Sequence, residues 1–223
     1  MSATNPSGQT AQPRRRRKRL LSEESILDAA LSLVDETGEL TMAALAARVG
    51  STASSIYHHF RGRQAIIEAL RERVGAGITV PAETDDWEPA LLRFLRDYRD
   101  AFARHPRIIP LLTAQTISGD STVVVYDRLL RILARAGLPL GEHLLWVSVL
   151  DNFVLGSALD AAAPDEVWSA SHLDTPALNA AVAAAPTGRK RADAAFLLGA
   201  EALVTGMRAR LQAEPRRVRK QLH

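Results

Sequence analysis

The sequence predicts an all-α fold, and three observations support this assignment. Alanine and leucine dominate the composition and runs of β-branched residues are scarce, which favours helices over sheets. Apolar residues recur at intervals of three and four in most segments, the period of an amphipathic helix. Hydrophobic residues make up 47% of the 223 residues and charged residues 24%, so the chain has a globular composition and is long enough to bury a sizeable core.

The composition also excludes several classes of protein. The chain contains no cysteine, which rules out disulfides, thiol catalysis and Cys-ligated zinc. The six histidines are scattered, and the adjacent pair His58 and His59 cannot face one metal site from a helix, so neither a metal nor a cofactor is predicted. No apolar run reaches the roughly 18 residues of a membrane span, and the N-terminus lacks the apolar segment of a secretion signal. We therefore expect a cytoplasmic protein.

Basic charge is concentrated at the two ends of the chain. The formal net charge is only +3, but residues 14–19 read RRRRKR and residues 216–220 read RRVRK. Such segments cannot bury apolar surface, so residues 1–20 are expected to form a disordered basic arm and residues 213–223 a basic tail. Either segment could simply aid solubility. Because the first run directly precedes the first predicted helix, we expect it to neutralise phosphates, through Arg14, Arg15, Arg16, Arg17, Lys18 and Arg19.

The first helix is predicted from Ser22 to about Thr37. Ser22 is a favourable N-cap, Glu23 and Glu24 lie at the positive end of the helix dipole, and Gly38 is a typical helix stop. Apolar residues recur at helical spacing between these ends, namely Ile26, Ala29, Ala30, Leu33 and Val34.

Two shorter helices follow and are separated by a tight turn. Thr41 is the predicted N-cap of the second helix, and Leu40 and Leu45 could pack together across its first turn. This helix ends at Gly50, and a third helix begins at about Thr52. Two short helices joined by a turn that contains glycine, after a longer supporting helix, are typical of a helix-turn-helix.

Residues 41–63 contain no Asp or Glu, although acidic residues are frequent on both sides. A helix that approaches DNA must avoid carboxylates, because phosphate repels them and their desolvation is costly. Many surface patches are basic by chance, and Ile56 and Phe60 are most simply core residues. The layout and the missing acids together predict base contacts from the start of the third helix and phosphate contacts from the residues after it. The residues expected to contact bases are Thr52, Ala53, Ser54 and Ser55. The residues expected to contact phosphates are Tyr57, His58, His59, Arg61 and Arg63.

The segment from residue 21 to residue 75 resembles the DNA-binding domain of the TetR family of bacterial transcriptional regulators. Arg63 stands where that family usually has Lys, Gln64 where it commonly has Glu or Asp, and Ser51 where it usually has an apolar residue. The other motif residues fall in register, and they are Gly38, Thr41, Leu45, Ala46, Val49, Gly50, Tyr57, His59 and Phe60.

The resemblance implies roles for particular residues. Residues 52–55, at the start of the third helix, would meet the major groove of DNA. Tyr57, His59 and Arg63 would hold the phosphate backbone, and Thr41 would bind a phosphate at the start of the second helix.

The chain changes character after the fourth helix, which is predicted over about 62–75. Residues 75–86 read as a linker, because Pro81 and several acids would not continue a helix. We therefore expect a DNA-binding domain over residues 21–76 and a larger helical domain over residues 77–212.

The larger domain is predicted to be helical for most of its length. Its first helix begins at Trp87 and is stopped by His105 and Pro106. Residues 164–188 are predicted to be a mobile loop that contains one short helix. The other helices are predicted at 107–115, 121–136, 144–163 and 189–212.

The last two long helices carry more apolar residues than packing within a single chain is expected to cover. Ser148, Asn152 and Gly156 recur every four residues as a stripe of small side chains, which would allow close helix packing. Packing within one chain explains this periodicity equally well. The resemblance favours a homodimer, because TetR-like regulators pair through these two helices and read an inverted repeat. The pairing faces are expected to comprise Leu145, Val149, Leu155 and Leu159 on one helix and Phe196, Gly199, Ala200, Leu203 and Met207 on the other.

The resemblance also implies a small-molecule pocket in the larger domain. Asp151 is the most informative candidate, because a carboxylate in so apolar a helix requires a partner. It could hydrogen-bond across the dimer, pair with Arg104 or Arg107, or attract a cationic ligand. Each candidate taken alone is more simply a core residue. The candidate ligand-binding residues are Phe102, Gln115, Tyr126, Trp146, Asp151 and Phe153.

The predicted function is that of a DNA-binding transcriptional regulator, a ligand-responsive repressor that binds a palindromic operator as a homodimer. The sequence lacks the nucleophile elbow, the zinc-protease motif, the phosphate loop and the dinucleotide-binding glycines, so an enzyme is not predicted. The alternative is a ligand-independent DNA-binding protein, either sequence-specific or architectural, which the large apolar second half argues against.

Overall fold

The predicted all-α architecture is present in the computed structural model, which describes residues 21–79, 82, 86–169 and 174–220, with side chains through residue 212. The described residues form helices joined by turns and include no strand. The helices are α1 (Glu23–Thr37), α2 (Met42–Arg48), α3 (Ala53–Tyr57), α4 (Arg63–Gly75), α5 (Trp87–Ala103), α6 (Ile109–Thr113), α7 (Asp120–Arg135), α8 (His143–Asp160), α9 (Pro176–Ala184) and α10 (Gly188–Lys220), with short 3-10 turns at Pro106–Ile108 and Leu140–Glu142.

The first two helices begin at the predicted N-caps, Ser22 and Thr41, and the third begins after Thr52, which is an N-cap rather than the first helical residue. Gly38 ends α1 in the left-handed region, with φ of 76°, and donates its N–H to the carbonyl of Val34. The hydroxyl of each N-cap accepts a hydrogen bond from the backbone N–H three residues later: Ser22 from Ser25 at 3.2 Å, Thr41 from Ala44 at 3.1 Å, and Thr52 from Ser55 at 3.2 Å.

Helices α1 to α4 pack around a small apolar core. Helix α1 contacts α2 and α4, and α2 contacts α3 across the turn at Gly50, whose φ of 63° suits glycine. The core side chains that seat the two short helices are fully buried, and they include Ile26, Leu40, Leu45, Ile56 and Ile66.

The second half is built around α5, which packs against α7, α8 and α10. Helix α4 joins the halves by packing against α5, α6 and α7. A second junction lies between α1 and the 3-10 turn at Pro106–Ile108. There Nδ1 of His105 lies 2.8 Å from Oδ2 of Asp35, and Arg107 donates to the carbonyl of Glu36. The first four helices are therefore fixed to the second half at two places.

The C-terminal helix is longer than predicted. Helix α10 continues to Lys220, past the predicted end at residue 212. Alanine, glutamate, arginine and lysine, which predominate in residues 213–220, are good helix formers, and the helix continues through Pro215 although proline disfavours a helix interior. The short helix predicted within residues 164–188 is present as α9.

The pairing face predicted for the last helix is wrong. Phe196, Ala200 and Met207 are buried within the same chain, and the ring of Phe196 stacks on that of Phe153 at 5.5 Å between centroids. Among the described side chains of α10, the large apolar ones that are exposed are instead Leu197 and Leu198, the latter 72% exposed. Helical periodicity identifies an apolar stripe, but it does not say whether the stripe packs inside the chain.

The face predicted for α8 lies on the surface for most of its length. Ser148, Asn152 and Gly156 are exposed, and so are the flanking apolar residues with the exception of Leu155. Leu155 is partly buried and turns toward a cavity described below. The exposed apolar residues of α8 are Leu144, Leu145, Val149 and Leu159.

No helix within the described ranges is both long enough and apolar enough to cross a lipid bilayer.

Candidate nucleic-acid interface and ligand cavity

Helices α2 and α3 have the geometry of a helix-turn-helix. Helix α3 has only five residues, and its turn continues through hydrogen bonds from the N–H groups of His59 and Phe60 to the carbonyl of Ile56, at 2.9 and 3.0 Å. An isolated helix of this length would not persist in water. The burial of Ile56 and Phe60 therefore holds the short helix in place.

The residues predicted to read bases lie together at the start of α3. Thr52 and Ser54 are exposed, whereas Ala53 and Ser55 are half-buried. The hydroxyl oxygens of Thr52 and Ser55 lie 3.0 Å apart and share a hydrogen bond, in addition to the cap. Two of the three hydroxyls therefore also stabilise the helix start, while Ser54 is open to solvent.

The residues predicted to hold phosphate flank this helix. Tyr57 is 54% exposed, His58 and Arg61 are also exposed, and His59 is half-buried. Arg63 is exposed at the first position of α4, and its Nε donates a 2.7 Å hydrogen bond to the carbonyl of Leu40. Arg63 thus ties α4 to the segment before α2.

Two of the predicted DNA-binding features stand apart from the others. The hydroxyl of Thr41 already accepts the N–H of Ala44, so the N-terminus of α2 has one amide fewer for a phosphate. The basic run at residues 14–19 lies outside the described residues.

Arg48 is the third arginine of the acid-free stretch, and it is paired. Its guanidinium donates to the Ser32 hydroxyl at 2.7 Å and to Oε1 of Glu36 at 2.8 Å. The hydrogen bond from Arg48, followed by one from Ser32, lowers the pKa of Glu36 to about 2. Arg48 therefore joins α1 to α2, and Glu36 offsets its charge.

A cavity of about 280 Å³ lies between α4, α5 and α7, with α6 and α8 contributing to its wall. Its lining is mainly apolar and aromatic. The ring of Tyr98 packs edge-on against those of Phe94 and Phe102, at centroid distances of 6.0 and 5.2 Å. Tyr126 completes the aromatic wall from α7. A cavity with this lining suits an apolar or aromatic small molecule.

Behind this wall, Asp151 on α8 is held by a phenol. The hydroxyl of Tyr126 donates to Oδ2 of Asp151 at 2.8 Å. Burial raises the pKa of Asp151 to about 6, opposed by the hydroxyls of Tyr126 and Tyr98. Tyr98 does not complete a hydrogen bond to Oδ1, which is buried without a partner in the described part of the chain. Neither Arg104 nor Arg107 pairs with this carboxylate, and Arg107 binds Glu36 instead.

The six predicted ligand residues are only partly brought together. Phe102 and Tyr126 line the cavity, and Asp151 lies one hydrogen bond behind it. The lining does not include Gln115, Trp146 or Phe153. Phe153 instead packs on Phe196 of α10.

Sequence reasoning missed the charged residues of the cavity. Arg71 and Glu72 line it from the C-terminal half of α4. Nη2 of Arg71 donates to the carbonyl of Leu112 at 2.9 Å, and Oε1 of Glu72 accepts the N–H of Ser121 at 3.1 Å. In the sequence these residues read as the solvated side of an ordinary helix. Their partners are backbone groups more than forty residues away, so no local pattern could have revealed the contacts.

The fold and this site define a class of protein. A helix-turn-helix whose second and third helices carry no acidic residue is joined, through α4 and through the contact of α1 with the turn at Pro106–Ile108, to a helical body that encloses an apolar cavity. No group of three or more His, Asp and Glu side chains in the described ranges is placed to hold a metal ion. This arrangement is that of a DNA-binding regulator.

Comparison with known proteins specifies the class further. Residues 26–70 match the family described as bacterial regulatory proteins, tetR family, and residues 80–211 match the tetracyclin repressor-like C-terminal domain. The chain belongs to the TetR family of bacterial transcriptional regulators. It is a DNA-binding, ligand-responsive transcriptional repressor and not an enzyme.

Three similar proteins illustrate the match. The tetracycline repressor protein class A from transposon 1721 of Escherichia coli is 31% identical over 150 residues, covering 65% of this chain and 69% of that protein. An HTH-type transcriptional regulator of Saccharopolyspora erythraea is 27% identical over 212 residues, covering 87% of each chain. The structure of ActR from Streptomyces coelicolor in complex with actinorhodin superimposes with a TM-score of 0.67 at 21% identity, covering 86% of this chain and 98% of that one.

Proposed function

We propose that the chain represses transcription as a homodimer bound to an inverted-repeat operator, and that a small molecule in the α4–α5–α7 cavity releases it. Within this scheme, residues 1–20 are a basic arm, residues 21–76 the DNA-binding domain, residues 77–212 the regulatory and dimerisation domain, and residues 213–223 a basic tail. One observation carries the proposal. The cavity is lined by Arg71 and Glu72 of α4, the same helix that packs on α1 in the DNA-binding domain.

The exposed faces of α8 and α10 support the homodimer. Leu144, Leu145 and Leu198 are each more than 60% exposed, and Leu197 and Val149 lie on the same two helices. The small exposed residues of α8 would let a second copy approach closely. Several large exposed apolar side chains on two neighbouring helices are typical of a protein interface. A two-fold dimer would present two recognition helices to two half-sites of opposite orientation.

The exposure of the α3 surface supports the proposed DNA contacts. Thr52, Ala53, Ser54 and Ser55 would meet base edges in the major groove. The phosphate contacts would come from residues around them and from the N-terminal arm, namely Thr41, Tyr57, His59, Arg63, Arg14, Arg15, Arg16, Arg17, Lys18 and Arg19.

The cavity chemistry indicates the kind of effector. Its aromatic wall would stack against a flat, largely apolar molecule. The lining also includes the side chains of Tyr126, Arg71 and Glu72, which favours a molecule that presents polar groups to them, and Asp151 contributes only through its hydrogen bond with Tyr126. Relatives named for tetracycline, or crystallised with actinorhodin, support a small organic effector but do not identify it.

The mechanism is a shift between two populated states. The effector-free dimer holds its two α3 helices at the separation of the operator grooves, and the bound effector favours a separation that does not fit. Helix α4 would transmit the change, because it contacts the cavity and α1 at once.

A selection experiment followed by a ligand screen tests the proposal. The purified protein is first used to enrich duplexes from a randomised DNA pool, and the enriched sequence is expected to be an inverted repeat. A small-molecule library is then screened by thermal shift, and each hit is added to the complex of the protein with the enriched duplex. An effector raises the melting temperature and weakens the complex. Binding that is indifferent to sequence and vanishes in modest salt would contradict the proposal.

A further inference from the structure

Helix α7 begins without a cap of its own. Its N-cap residue is Gly119, which has no side chain to accept the free N–H groups of the first turn. Two of the N–H groups at this end are bound by α4 instead. Oε1 of Glu68 accepts the N–H of Gly119 at 2.9 Å, and Oε1 of Glu72 accepts the N–H of Ser121 at 3.1 Å. Two carboxylates from the DNA-binding half therefore cap a helix of the regulatory half.

Arg71 completes this contact. Its Nε lies 3.1 Å from Oε2 of Glu68, and its Nη2 donates to the carbonyl of Leu112, at the end of α6. The side chains of Glu68 and Arg71 are only 12% and 11% exposed, so water competes little for these bonds. We call Glu68, Arg71 and Glu72, together with the backbone of Leu112, Gly119 and Ser121, the α4–α7 clamp.

The fit of the clamp depends on glycine at position 119. A Cβ atom added to Gly119 would lie 2.5 Å from Oε1 of Glu72 and 2.8 Å from Oε1 of Glu68. Both distances are too short for a carbon and an oxygen, so a Cβ at this position would require the carboxylate ends of these two side chains to shift. Gly119 does not have a positive φ, at −72°. The close approach of the two carboxylates, rather than the backbone conformation, therefore favours glycine here.

The clamp and the cavity share residues. Arg71, Glu72 and Ser121 belong to the clamp and also line the cavity. A molecule in the cavity that presents a hydrogen-bond donor to Glu72 would compete with the N–H of Ser121 for the same carboxylate. The free end of α7 would then lose one of its two caps, and α4 would lose one of its attachments to the regulatory half.

We propose that the α4–α7 clamp holds the DNA-binding domain in the orientation that fits two operator half-sites, and that Glu72 is the residue through which a molecule in the cavity opens it. This inference rests on the function proposed above. Glu68, Arg71 and Glu72 act as positioning residues, because none of them lies on the α3 surface. Opening the clamp changes the separation of the two recognition helices and leaves each recognition surface intact.

The test compares a full duplex with a half duplex. The full duplex is the inverted repeat that the wild-type protein enriches from a randomised pool, and the half duplex contains one arm of it. Gly119→Ala and Glu72→Ala break the clamp, the first by steric displacement with every charge retained. Gly141→Ala and Glu166→Ala are the matched controls, because a Cβ at Gly141 meets no atom within 4 Å and Glu166 is exposed. Glu72→Gln removes the charge but retains an oxygen acceptor in a side chain of the same shape. This variant is used for the comparison if the other clamp variants do not fold.

The clamp variants are expected to bind the half duplex as the wild type does and the full duplex at least tenfold more weakly. Glu72→Gln is expected to lose a few-fold on the full duplex only, and the controls are expected to match the wild type on both. Equal losses of affinity for the two duplexes would locate the damage in α3 and overturn the proposal. The proposal would also be overturned if Glu72→Gln and Gly119→Ala, both folded, bound the full duplex with wild-type affinity. Failure of the wild type to enrich any inverted repeat would instead contradict the proposed function on which the inference rests.

Discussion

The hydroxyl of Tyr126 donates a 2.8 Å hydrogen bond to Oδ2 of Asp151 and so joins α7 to α8 beside the cavity. The other carboxylate oxygen, Oδ1, is buried and has no partner among the described residues. An apolar residue at position 151 would avoid the cost of burying a carboxylate. The polar pair therefore makes the fold less stable than it could be, which is typical of residues kept for binding rather than for packing.

Asp151→Asn is expected to stabilise the protein at neutral pH. Burial raises the pKa of Asp151 from 3.8 to about 6, so between these values the folded state binds a proton that the unfolded state does not. Stability is then lost as the pH rises through that window, by up to about 3 kcal/mol for about two pKa units. Urea denaturation of the wild type and the variant checks this. The variant should gain stability at pH 7.5, and the gain should shrink toward zero near pH 4.

Tyr126→Phe should have the opposite effect. The substitution removes the donor to Oδ2 and leaves a second carboxylate oxygen without a partner, which costs about 1–3 kcal/mol at pH 7.5. The loss should be smaller at pH 5, where Asp151 is mostly protonated in the folded state. Tyr57→Phe is the control, because Tyr57 is exposed and should leave the unfolding free energy unchanged. Equal losses for the two variants would contradict the assigned hydrogen bond.

Arg63 should show two separable roles. Arg63→Lys keeps the positive charge but removes the Nε donor to Leu40, so it should lower stability by about 1 kcal/mol while retaining the phosphate contact. Arg63→Ala should lose the same stability and also reduce the salt dependence of DNA binding by about one phosphate contact. Chemical denaturation and fluorescence anisotropy at several salt concentrations measure the two effects. An unchanged salt dependence in the alanine variant would remove Arg63 from the DNA interface.

Deleting residues 1–19 should weaken DNA binding mainly through electrostatics. Each lost phosphate contact lowers the slope of log affinity against log salt by about 0.9, so the basic run could account for a slope change of several units. Deletion of residues 1–13 alone is the matched control, because it leaves the run RRRRKR in place. The two deletions are compared by salt titration on one duplex. If both gave the wild-type slope, the arm would contribute only solubility.

Leu198→Asp and Leu145→Asp should prevent the homodimer. Each places a charge on an apolar surface that is 72% or 66% exposed in the single chain and would be buried in the pair. Val123→Asp, on the exposed side of α7, should leave the assembly unchanged. Sedimentation velocity gives the oligomeric state directly. A monomeric wild type, or dimers of both leucine variants at wild-type concentrations, would exclude this interface.

The start of the molecule could be predicted well from the sequence because its signals are local. Ser22, Thr41 and Thr52 cap their helices through side chains that reach only three residues ahead. Gly38 and Gly50 mark turns that need positive φ, and that requirement is also a property of single positions. The bounds of α1 and α2 and the start of α3 follow from these five residues.

The contacts between distant helices could not be predicted in this way. The apolar stripe of α10 is evident in the sequence, but its side that contains Phe196 is covered by α8 of the same chain. Glu68 and Glu72 are ordinary charged helix residues until α7 is placed beside them. Arg48 contributes to the acid-free stretch in the sequence, yet Glu36 of the preceding helix pairs with it. Such pairings depend on how the helices pack against one another, and the sequence of a single helix does not specify its packing partners.

The separation of buried from exposed residues in α3 affects how such a protein can diverge after gene duplication. Ile56 and Phe60 hold the short helix in place, whereas Ser54 and Tyr57 face solvent and contribute little to the core. Substitutions at exposed positions usually change stability by less than about 0.5 kcal/mol. A duplicate copy could therefore acquire a new target sequence through a few exposed changes, long before its folding or its response to effectors is affected.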